Sequence, residues 1–490
     1  MKRKIIKFLL SSVCLLGSIN TFAHDVEVEN ADGVTIYYNY TNNGTELAVT
    51  YRGNSYGHYS NEYTGSVVIP ETVTILNKTR KVTSIGSEAF YNCTKLTSVT
   101  IPASMTSIGS EAFRSCSGLT SVTIPASVTS IGSYAFSGCS GLTSVTIPES
   151  VKSIGSHAFY YCKGLKKVIV KNIAAWCGIF FGDNTSNPLY YAHLYSDEDT
   201  EITDLVIPGS VTGIGSYAFS GCSGLTSVTI STRVNSIGVY AFSECSSLTS
   251  VTIPTSVKSI GSHAFYKCSG LTSVTIPGSV TDYLGYDAFA GCSGLTSVTI
   301  SDGVTSIGSS AFSDCSKLTS VTIPASVTSI GGSAFLRCSG LTSVTIPDGV
   351  TSIGGSAFYD CSGLTSVTIP ASVTSIGSKA FDGCNNLADF VSLIQEPFEV
   401  SYIVSDLVYN NGTLYVPEGT MEKYKATKGW KNFVWMEEGM PAGIKLTNSN
   451  GSKATEKQRY TIGGESIDHP QRGVNVVKMS DGTVKKVLVK

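Results

Sequence analysis

The sequence predicts a solenoid, a β-rich coil of about twelve stacked rungs of 23 residues that is capped at both ends. An Ala-Phe dipeptide recurs at this interval, apart from one 24-residue step and one 60-residue interruption. A cysteine follows each of these phenylalanines by three residues. Because one rung is too small to bury its own apolar side chains, equivalent residues must stack on those of neighbouring rungs. The repeated phenylalanines are Phe90, Phe113, Phe136, Phe159, Phe219, Phe242, Phe265, Phe289, Phe312, Phe335, Phe358 and Phe381.

The rung at residues 119–142 shows how each unit is built. Its first segment, residues 119–125, has apolar side chains at the first, fourth and sixth positions, which is the L-x-x-L-x-L core of a leucine-rich repeat. The alternation predicts a β-strand that ends at its proline, since proline has no N–H to donate. Residues 128–131 predict a second short strand. Ile131, Ala135 and Cys139 follow at intervals of four, so we expect a short helical turn with one buried face.

The repeated phenylalanines and cysteines are predicted to form continuous columns in the core. Zinc sites need closely clustered ligands, and a catalytic cysteine would be singular rather than repeated. Disulfides between rungs are the alternative in an exported protein, but parallel Cβ atoms about 4.8 Å apart exceed the usual disulfide separation of about 3.8 Å. We therefore expect buried thiols, with Cys177 as a further free thiol outside the column. Representative members of the columns are Phe90, Phe113, Phe136, Phe312, Cys93, Cys116, Cys139 and Cys315.

Residues 1–23 are predicted to be a signal peptide. The segment has a basic start, an apolar stretch at residues 8–17 and small residues before an expected cleavage site after Ala23. Cys14 leaves open a lipoprotein signal, although Val13 replaces the small residue that normally precedes a lipidated cysteine. We expect an exported chain that begins at His24.

Changes in the repeat pattern predict the remaining domain boundaries. Strand-like runs precede the array, a helix-like segment with several aromatic residues follows it, and three short strands are expected near the C-terminus. An interruption rich in aromatic residues is expected to form one enlarged rung with a protruding hairpin. The predicted units are an N-terminal cap at 24–80, a repeat array at 81–398 with an insertion at 172–204, a C-terminal cap at 399–440 and a small β module at 441–490.

Variation among the rungs is concentrated beside the Ala-Phe dipeptide, on the outer side of the predicted helical turn. Tyrosine is a preferred contact residue at interfaces, so we hypothesise a tyrosine stripe over residues 134–266 that adjoins the insertion. Unconstrained surface would drift in the same way, and the aromatic residues of the insertion could instead build a local core. The candidate binding residues are Tyr134, His157, Tyr160, Tyr161, Trp176, Tyr190, Tyr191, Tyr217, Tyr240, His263 and Tyr266.

The strand face presents almost the same hydroxyl side chains in most rungs, as in Thr120, Ser121 and Thr123. Such a uniform surface suits a periodic ligand, including ice, or no ligand. Hydroxyl groups that only keep the strands soluble are the simpler interpretation.

Composition and motifs exclude several classes of protein. The chain has 34 basic and 36 acidic residues, so it lacks the positive charge expected of a nucleic-acid binder. After the N-terminus there is no apolar run of about 18 residues, and we expect no membrane span in the mature chain. No zinc-protease, nucleotide-binding or hydrolase motif occurs, and no histidine pairs recognisably with a nucleophile. We expect neither an enzyme nor a cofactor or metal site.

The repeat Ser-Ile-Gly-x-x-Ala-Phe-x-x-Cys-x-x-Leu, seen at residues 130–142, resembles the BspA-like, or treponemal-type, leucine-rich repeat family. The Phe289 rung departs from it by one extra residue. Residues 419–424 with Trp430 and Phe433 look like the cap that closes such arrays, and the tail resembles C-terminal sorting modules of proteins exported by Gram-negative anaerobes. The resemblance implies a secreted or surface protein that binds host matrix proteins or other cells and has no enzymatic activity.

These observations together predict an exported or cell-surface scaffold, adhesin-like in action, whose partner is a protein or another cell-surface ligand. Contact would be multivalent rather than catalytic. Two alternatives stay open: a structural envelope spacer without a specific partner, and a carbohydrate-binding protein that uses the aromatic insertion.

Overall fold

The structure is a computed structural model that describes residues 24–53 and 61–441, together with the backbone of four strands between residues 456 and 489. The predicted signal peptide and Cys14 lie outside the described residues. The predicted fold class is confirmed: the described chain forms a β-solenoid with a repeat of about 23 residues and few helices.

The N-terminal cap is a small sheet that continues directly into the solenoid. Its first three strands pair antiparallel, and the third pairs parallel with the sixth, which begins a column of short strands. Tyr63 contacts the first phenylalanine of the array, Phe90, with 4.5 Å between ring centroids. The cap therefore covers the open end of the core. Its strands are β1 (Val26–Glu29), β2 (Thr35–Thr41), β3 (Glu46–Thr50), β4 (Gly65–Val68), β5 (Thr72–Ile75) and β6 (Lys78–Ile85).

Each rung contributes one strand to each of two parallel columns. Equivalent residues pair in register, as Val122 does with Val145 in one column and Ile131 with Ile154 in the other. Alternation places these apolar residues in the core and the neighbouring hydroxyl residues outside. The first strands of the array are β7 (Leu96–Thr100), β8 (Ser107–Ile108), β9 (Ser121–Thr123), β10 (Ser130–Ile131), β11 (Ser144–Thr146), β12 (Ser153–Ile154) and β13 (Lys167–Ile169).

The prediction of a short helical turn in each rung is wrong in detail, because this segment consists of two consecutive tight turns. The backbone N–H groups of Ala135 and Ser137 donate to the carbonyl oxygens three residues earlier. The N–H groups of the alternate residues, Tyr134 and Phe136, donate instead to carbonyl oxygens of the next rung. The residue before each Ala-Phe has a left-handed conformation, with φ between 54° and 63° in all twelve rungs. Bonding to the next rung therefore replaces the continuous ladder of a helix.

The left-handed conformation at these positions leads to a stability prediction. A non-glycine residue there costs about 1–2 kcal/mol, and glycine avoids the steric part of this cost. We expect Ser333→Gly to raise the free energy of unfolding by up to about 1 kcal/mol, and Ser333→Val to lower it by about 1–3 kcal/mol because of β-branching. Urea denaturation of both variants checks the order. Equal stabilities, or a more stable valine variant, would contradict the assigned conformation.

The core is built from columns of identical side chains. Consecutive phenylalanine rings stack with centroids 4.9–5.6 Å apart and planes within 14° of parallel, in one run before the insertion and another after it. All twelve rings are fully buried. Glycine is required beside the core, since a Cβ on Gly132 would lie 2.4 Å from the backbone nitrogen of Ser110.

The insertion is a complete additional rung rather than one enlarged rung with a protruding hairpin. Its two strands extend both columns, pairing Phe181 with Ile154 and Leu194 with Val168. The chain then turns through a short antiparallel bridge between Tyr195 and Glu201. The insertion has the same need to bury apolar side chains as any rung, and stacking meets it. Its elements are α1 (Ile173–Cys177), β14 (Phe180–Phe181), 3₁₀ turns at Asn184–Ser186 and Pro188–Tyr190, and β15 (His193–Tyr195).

The array resumes after the insertion and keeps its register through the 24-residue step. Val274 pairs with Val298 and Ile260 with Leu284, so the loop between the two columns takes up the extra residue. The strands are β16 (Asp204–Val206), β17 (Gly213–Ile214), β18 (Ser227–Thr229), β19 (Ser236–Ile237), β20 (Ser250–Thr252), β21 (Ser259–Ile260), β22 (Ser273–Ile276), β23 (Tyr283–Leu284), β24 (Ser297–Ile300), β25 (Ser306–Ile307), β26 (Ser320–Thr322), β27 (Ser329–Ile330), β28 (Ser343–Thr345), β29 (Ser352–Ile353), β30 (Ser366–Ile369), β31 (Ser375–Ile376) and β32 (Asp389–Ser392).

Two helices and two strands follow the last rung. Phe390 meets Phe381 edge to face at 5.5 Å and also contacts Trp430, which is fully buried. Aromatic packing therefore covers this end of the core. The elements are α2 (Asp406–Asn411), β33 (Thr413–Val416), α3 (Met421–Ala426), a 3₁₀ turn at Trp430–Asn432 and β34 (Trp435–Glu438).

The C-terminal strands form a separate antiparallel sheet with the order β36-β35-β37-β38. Three of them overlap the strands predicted at 460–462, 474–477 and 484–489, and the fourth is a two-residue strand. They are β35 (Glu456–Thr461), β36 (Ser466–Ile467), β37 (Gly473–Met479) and β38 (Val484–Val489).

Candidate functional site

The cysteine column is part of the core. The thirteen cysteines that the structure describes are buried, as predicted, and are not bonded to one another. In ten rungs the sulfhydryl donates to the carbonyl oxygen of the phenylalanine one rung back, with the sulfur 3.0–3.4 Å from that oxygen, as Cys116 does to Phe90. Cys177, outside the column, is also buried.

Burial makes these thiols poor nucleophiles. It raises the pKa of Cys93 to about 11 and the pKa values of Cys162, Cys177 and Cys222 to about 12. A reactive cysteine needs the opposite shift and solvent access. The column therefore supplies packing and hydrogen bonds rather than chemistry.

The most varied surface of the array is the column of left-handed residues before Ala-Phe. Because their backbone conformation is the same in every rung, their side chains follow one another along the surface at the spacing of the rungs. Its first members, Glu88 and Glu111, are close enough that burial and the neighbouring carboxylate together raise the pKa of Glu88. Tyrosines and histidines then follow in two groups.

The first group of aromatic residues surrounds His157. Its imidazole stacks on Tyr134, with centroids 4.9 Å apart, and meets Tyr160 edge to face at 5.4 Å. On the other side, a carboxylate oxygen of Asp183 lies 2.7 Å from Nδ1 of His157, although this contact is not aligned as a hydrogen bond. Tyr161, 48% exposed, packs against Tyr160. We call Tyr134, His157, Asp183 and Tyr160 the first cluster.

The second group surrounds His263 with the same residue types, but its aspartate lies beside the other ring nitrogen. Its imidazole stacks on Tyr240 at 4.4 Å and meets Tyr266 edge to face at 5.3 Å. A carboxylate oxygen of Asp287 lies 3.5 Å from Nε2 of His263. We call Tyr240, His263, Asp287 and Tyr266 the second cluster.

Tyr217 adds a ring to the second cluster. Its ring stacks on Tyr240 at 5.2 Å, and burial, Tyr240 and then Asp183 raise its pKa. Tyrosine and histidine side chains therefore occupy this column on both sides of the insertion, and Asp183 of the insertion, whose backbone is extended rather than left-handed, lies beside His157 of the first cluster. The structure therefore arranges most of the predicted tyrosine stripe in two groups.

Sequence reasoning missed Asp183, which stands in the insertion rather than in a repeat. Its carboxylate accepts hydrogen bonds from the backbone N–H groups of Ser186 and His157. The first bond belongs to a capping box, and the spacing of Asp183 and Ser186 was the available signal. In the second bond, the Asp183 carboxylate takes the place of the backbone carbonyl that accepts the equivalent hydrogen bond in an ordinary rung. Only the stacked structure reveals this bond.

Three further candidate residues come from the insertion and are not members of either cluster. Trp176 is 1% exposed, donates from Nε1 to the carbonyl of Ala218 at 2.7 Å and packs on Phe181, so its prediction as a binding residue is wrong. The indole fills the core of the additional rung because it is its largest apolar side chain. Tyr190 and Tyr191 are half-buried, and the Tyr191 hydroxyl accepts a hydrogen bond from the backbone of Tyr161. Tyr191 therefore borders the first cluster.

The strand face is lined by hydroxyl groups, one row of which is engaged within the protein. The hydroxyl of Thr143 donates to the carbonyl of Thr120, and that of Thr249 to Thr226, as others do along the column. These bonds reinforce the stacking of strands. At the insertion the face changes, since Lys167 and His193 stand in strands β13 and β15.

Within the described ranges, no group of three or more histidine, cysteine, aspartate or glutamate side chains is placed to hold a metal ion. A helix both long and apolar enough to cross a membrane is likewise not found among the residues that were described.

Comparison with known proteins agrees with the fold. The model of the BspA type leucine-rich repeat region matches residues 59–185, 193–316 and 281–388, in six copies. A leucine-rich repeat protein from Bacteroides ovatus is 28% identical, with a TM-score of 0.53, over 83% of this chain and 98% of that one. A leucine-rich cell surface protein from Faecalibacterium prausnitzii is 25% identical, with a TM-score of 0.42, over 84% of this chain and 95% of that one. The search of curated proteins found no match.

Leucine-rich repeat proteins of this type are non-enzymatic scaffolds, and they typically bind proteins. The family match extends over more than half of the residues, and the same repeat accounts for both strand columns and the buried phenylalanines. The chain belongs to the BspA-type leucine-rich repeat family.

Proposed function

We propose that the protein is an exported or cell-surface scaffold, adhesin-like in action, that contacts a protein or another cell-surface ligand through its tyrosine stripe. The observation that carries this proposal is the recurrence of the same cluster, a histidine held between a tyrosine ring and an aspartate with a second tyrosine at its edge. Export rests on the predicted signal peptide, and the domain boundaries stay as predicted from the sequence.

The composition of the stripe suits a protein interface. Tyr161 is 48% exposed, and the other members are only partly buried. Tyrosine offers a large apolar surface with a polar tip and loses little entropy when it is fixed at an interface. Lys163 and Lys267 lie over the rings of Tyr161 and Tyr266, so each cluster also carries a positive charge at its border. These groups together provide apolar, hydrogen-bonding and charged contacts.

The arrangement of the rings disfavours the carbohydrate alternative. Sugars pack on the open faces of aromatic rings, but the rings of Tyr217, Tyr240 and His263 cover one another's faces at 4.4–5.2 Å. Trp176, the strongest candidate for a sugar platform in the insertion, is buried. The column therefore presents ring edges and polar tips to a partner.

A binding screen with the secreted protein tests the proposal. The mature chain from residue 24 is offered to matrix proteins, whole cells and glycan arrays, and its affinity for any partner is compared with that of the triple variant Tyr160→Ser, Tyr161→Ser, Tyr266→Ser. We expect the variant to bind at least about tenfold more weakly, since interface tyrosines commonly contribute more than 1 kcal/mol each. Circular dichroism establishes that the fold is intact.

Tyr359→Ser provides the matched control, because Tyr359 follows its Ala-Phe at the same position as Tyr160 and Tyr266 but lies outside the stripe. Its affinity should be unchanged. Unaltered binding of the triple variant would reject the stripe, and failure to bind any partner would favour a structural spacer. Deletion of residues 172–204 is unsuitable, since it removes strands of both columns together with the buried Trp176.

A further inference from the structure

The last strand of the C-terminal cap has an exposed apolar end. Trp435 is 60% exposed, Val434 before it is 61% exposed, and Leu407 of the adjacent helix α2 is 49% exposed. The other two tryptophans, Trp176 and Trp430, are buried. Exposed apolar side chains that gather in one place can mark an interaction site.

The same strand is the edge of its sheet. Strand β34 pairs with β33 and comes last in the order β28-β30-β32-β33-β34, so in the described part of the chain its other side has no neighbouring strand. An edge of this kind presents unpaired backbone N–H and carbonyl groups that can accept another strand. Trp435 belongs to this edge strand, so its exposed indole and the unpaired backbone groups lie on the same strand.

The chain itself carries a matching strand. Strand β38 is also the last in its sheet, and it is six residues long, whereas the opposite edge strand β36 has only two. Residues 439–455 connect β34 to the module, and 17 residues can span up to about 60 Å, so reach is not limiting. Intramolecular pairing also has the advantage of a high effective concentration.

The two sequences are complementary in one antiparallel register. With Glu437 opposite Lys486, Glu438 faces Lys485, and the apolar residues at the start of β34 face those at the end of β38. In this register Trp435 is opposite Leu488, and Met436 is opposite Val487. Opposite charges and paired apolar residues both stabilise neighbouring strands.

We propose that strand β38 of the C-terminal module docks antiparallel on the edge strand β34 of the same chain and covers Trp435. The docked module covers the open edge of the C-terminal cap. The occupant of the β34 edge is thus a segment of the same chain, and this contact is separate from the tyrosine stripe.

Tryptophan fluorescence of the whole mature chain tests this docking. Because two of the three tryptophans are buried, quenching by acrylamide reports mainly on Trp435, and the variant Trp435→Phe identifies its contribution. We expect Trp435 to be shielded in the unaltered chain. Lys485→Glu with Lys486→Glu should raise its quenching severalfold, toward that of a fully exposed tryptophan, and adding Glu437→Lys should restore part of the shielding.

Lys258→Glu is the control for charge, since Lys258 is exposed in the array and far along the chain from the module. It should leave the quenching unchanged. Free quenching of Trp435 in the unaltered chain would overturn the proposal. Shielding that disappears on dilution, with a dimer in sedimentation experiments, would overturn it too, because a second copy would then be the occupant.

Discussion

Replacing Phe312 by alanine is expected to lower the free energy of unfolding by about 3–5 kcal/mol, the range for a fully buried aromatic side chain. The Phe312 ring lies between Phe289 and Phe335, with centroids 5.5 and 5.6 Å away. Its removal leaves a cavity with a stacked ring on each side, and the neighbouring rungs cannot close it without breaking their strand pairing. Urea denaturation followed by circular dichroism measures the change.

Phe180→Ala is the matched control, because Phe180 belongs to the additional rung but is 71% exposed. We expect a change within about 0.5 kcal/mol, as for surface substitutions in general. A loss below 1 kcal/mol for Phe312→Ala would mean that the phenylalanine column does not hold the rungs together. Since unfolding of a repeat array can proceed in stages, the transition should also be followed by tyrosine absorbance.

The second large effect is expected at alkaline pH, where the free energy of unfolding should fall steeply as the pH rises above about 9. Burial raises the pKa of eleven of the described thiols above the 9.0 of an exposed cysteine. Above pH 9 the unfolded chain therefore releases protons that the folded chain keeps, so the free energy of unfolding falls as the pH rises.

The loss is about 1.4 kcal/mol per pH unit for each thiol. The losses of the buried thiols add, so these groups should dominate the decline in stability at alkaline pH. Below about pH 8 both states keep nearly all of these protons, and the thiols should contribute little pH dependence. Thermal unfolding at a series of pH values between 7 and 11 measures the profile.

A single variant separates this effect from general alkaline damage. Cys222→Ala removes one buried thiol, so its stability should decline less steeply above pH 9 by about 1.4 kcal/mol per unit. At pH 8, a thiol reagent should react slowly with the native protein and with all the cysteines after unfolding. A profile that is flat from pH 8 to 11 would show that the sulfhydryl groups are not in the core.

Much of the fold could be predicted because the positions of the repeated apolar residues indicate which side chains are buried in every rung. The interval between Ala-Phe dipeptides gave the rung length, and apolar alternation located both strand columns, as Val122 and Ile131 show. The turn was harder to predict. Ser333, Tyr134 and Lys379 share one left-handed conformation that none of these residue types favours, so local propensity gave no sign of it.

The candidate site depended more on contacts between distant residues. The sequence placed His157 and Tyr160 beside the dipeptide, but the carboxylate next to His157 comes from Asp183, in a segment without the repeat. Trp176 was a candidate binding residue because it lies in an insertion, but the insertion forms a rung and buries it, which agrees with the alternative of a local core. Neither relationship follows from sequence spacing.

Local periodicity was sufficient to predict the length of the rung, its two strands and the buried columns. Every rung must bury the same apolar side chains against its neighbours, so every rung shows the same sequence pattern. The conformation of the turns, the role of the insertion and the two histidine clusters were decided by stacking. A backbone N–H that donates to the next rung, or an imidazole beside a carboxylate 26 residues away, exists only once the rungs are in contact.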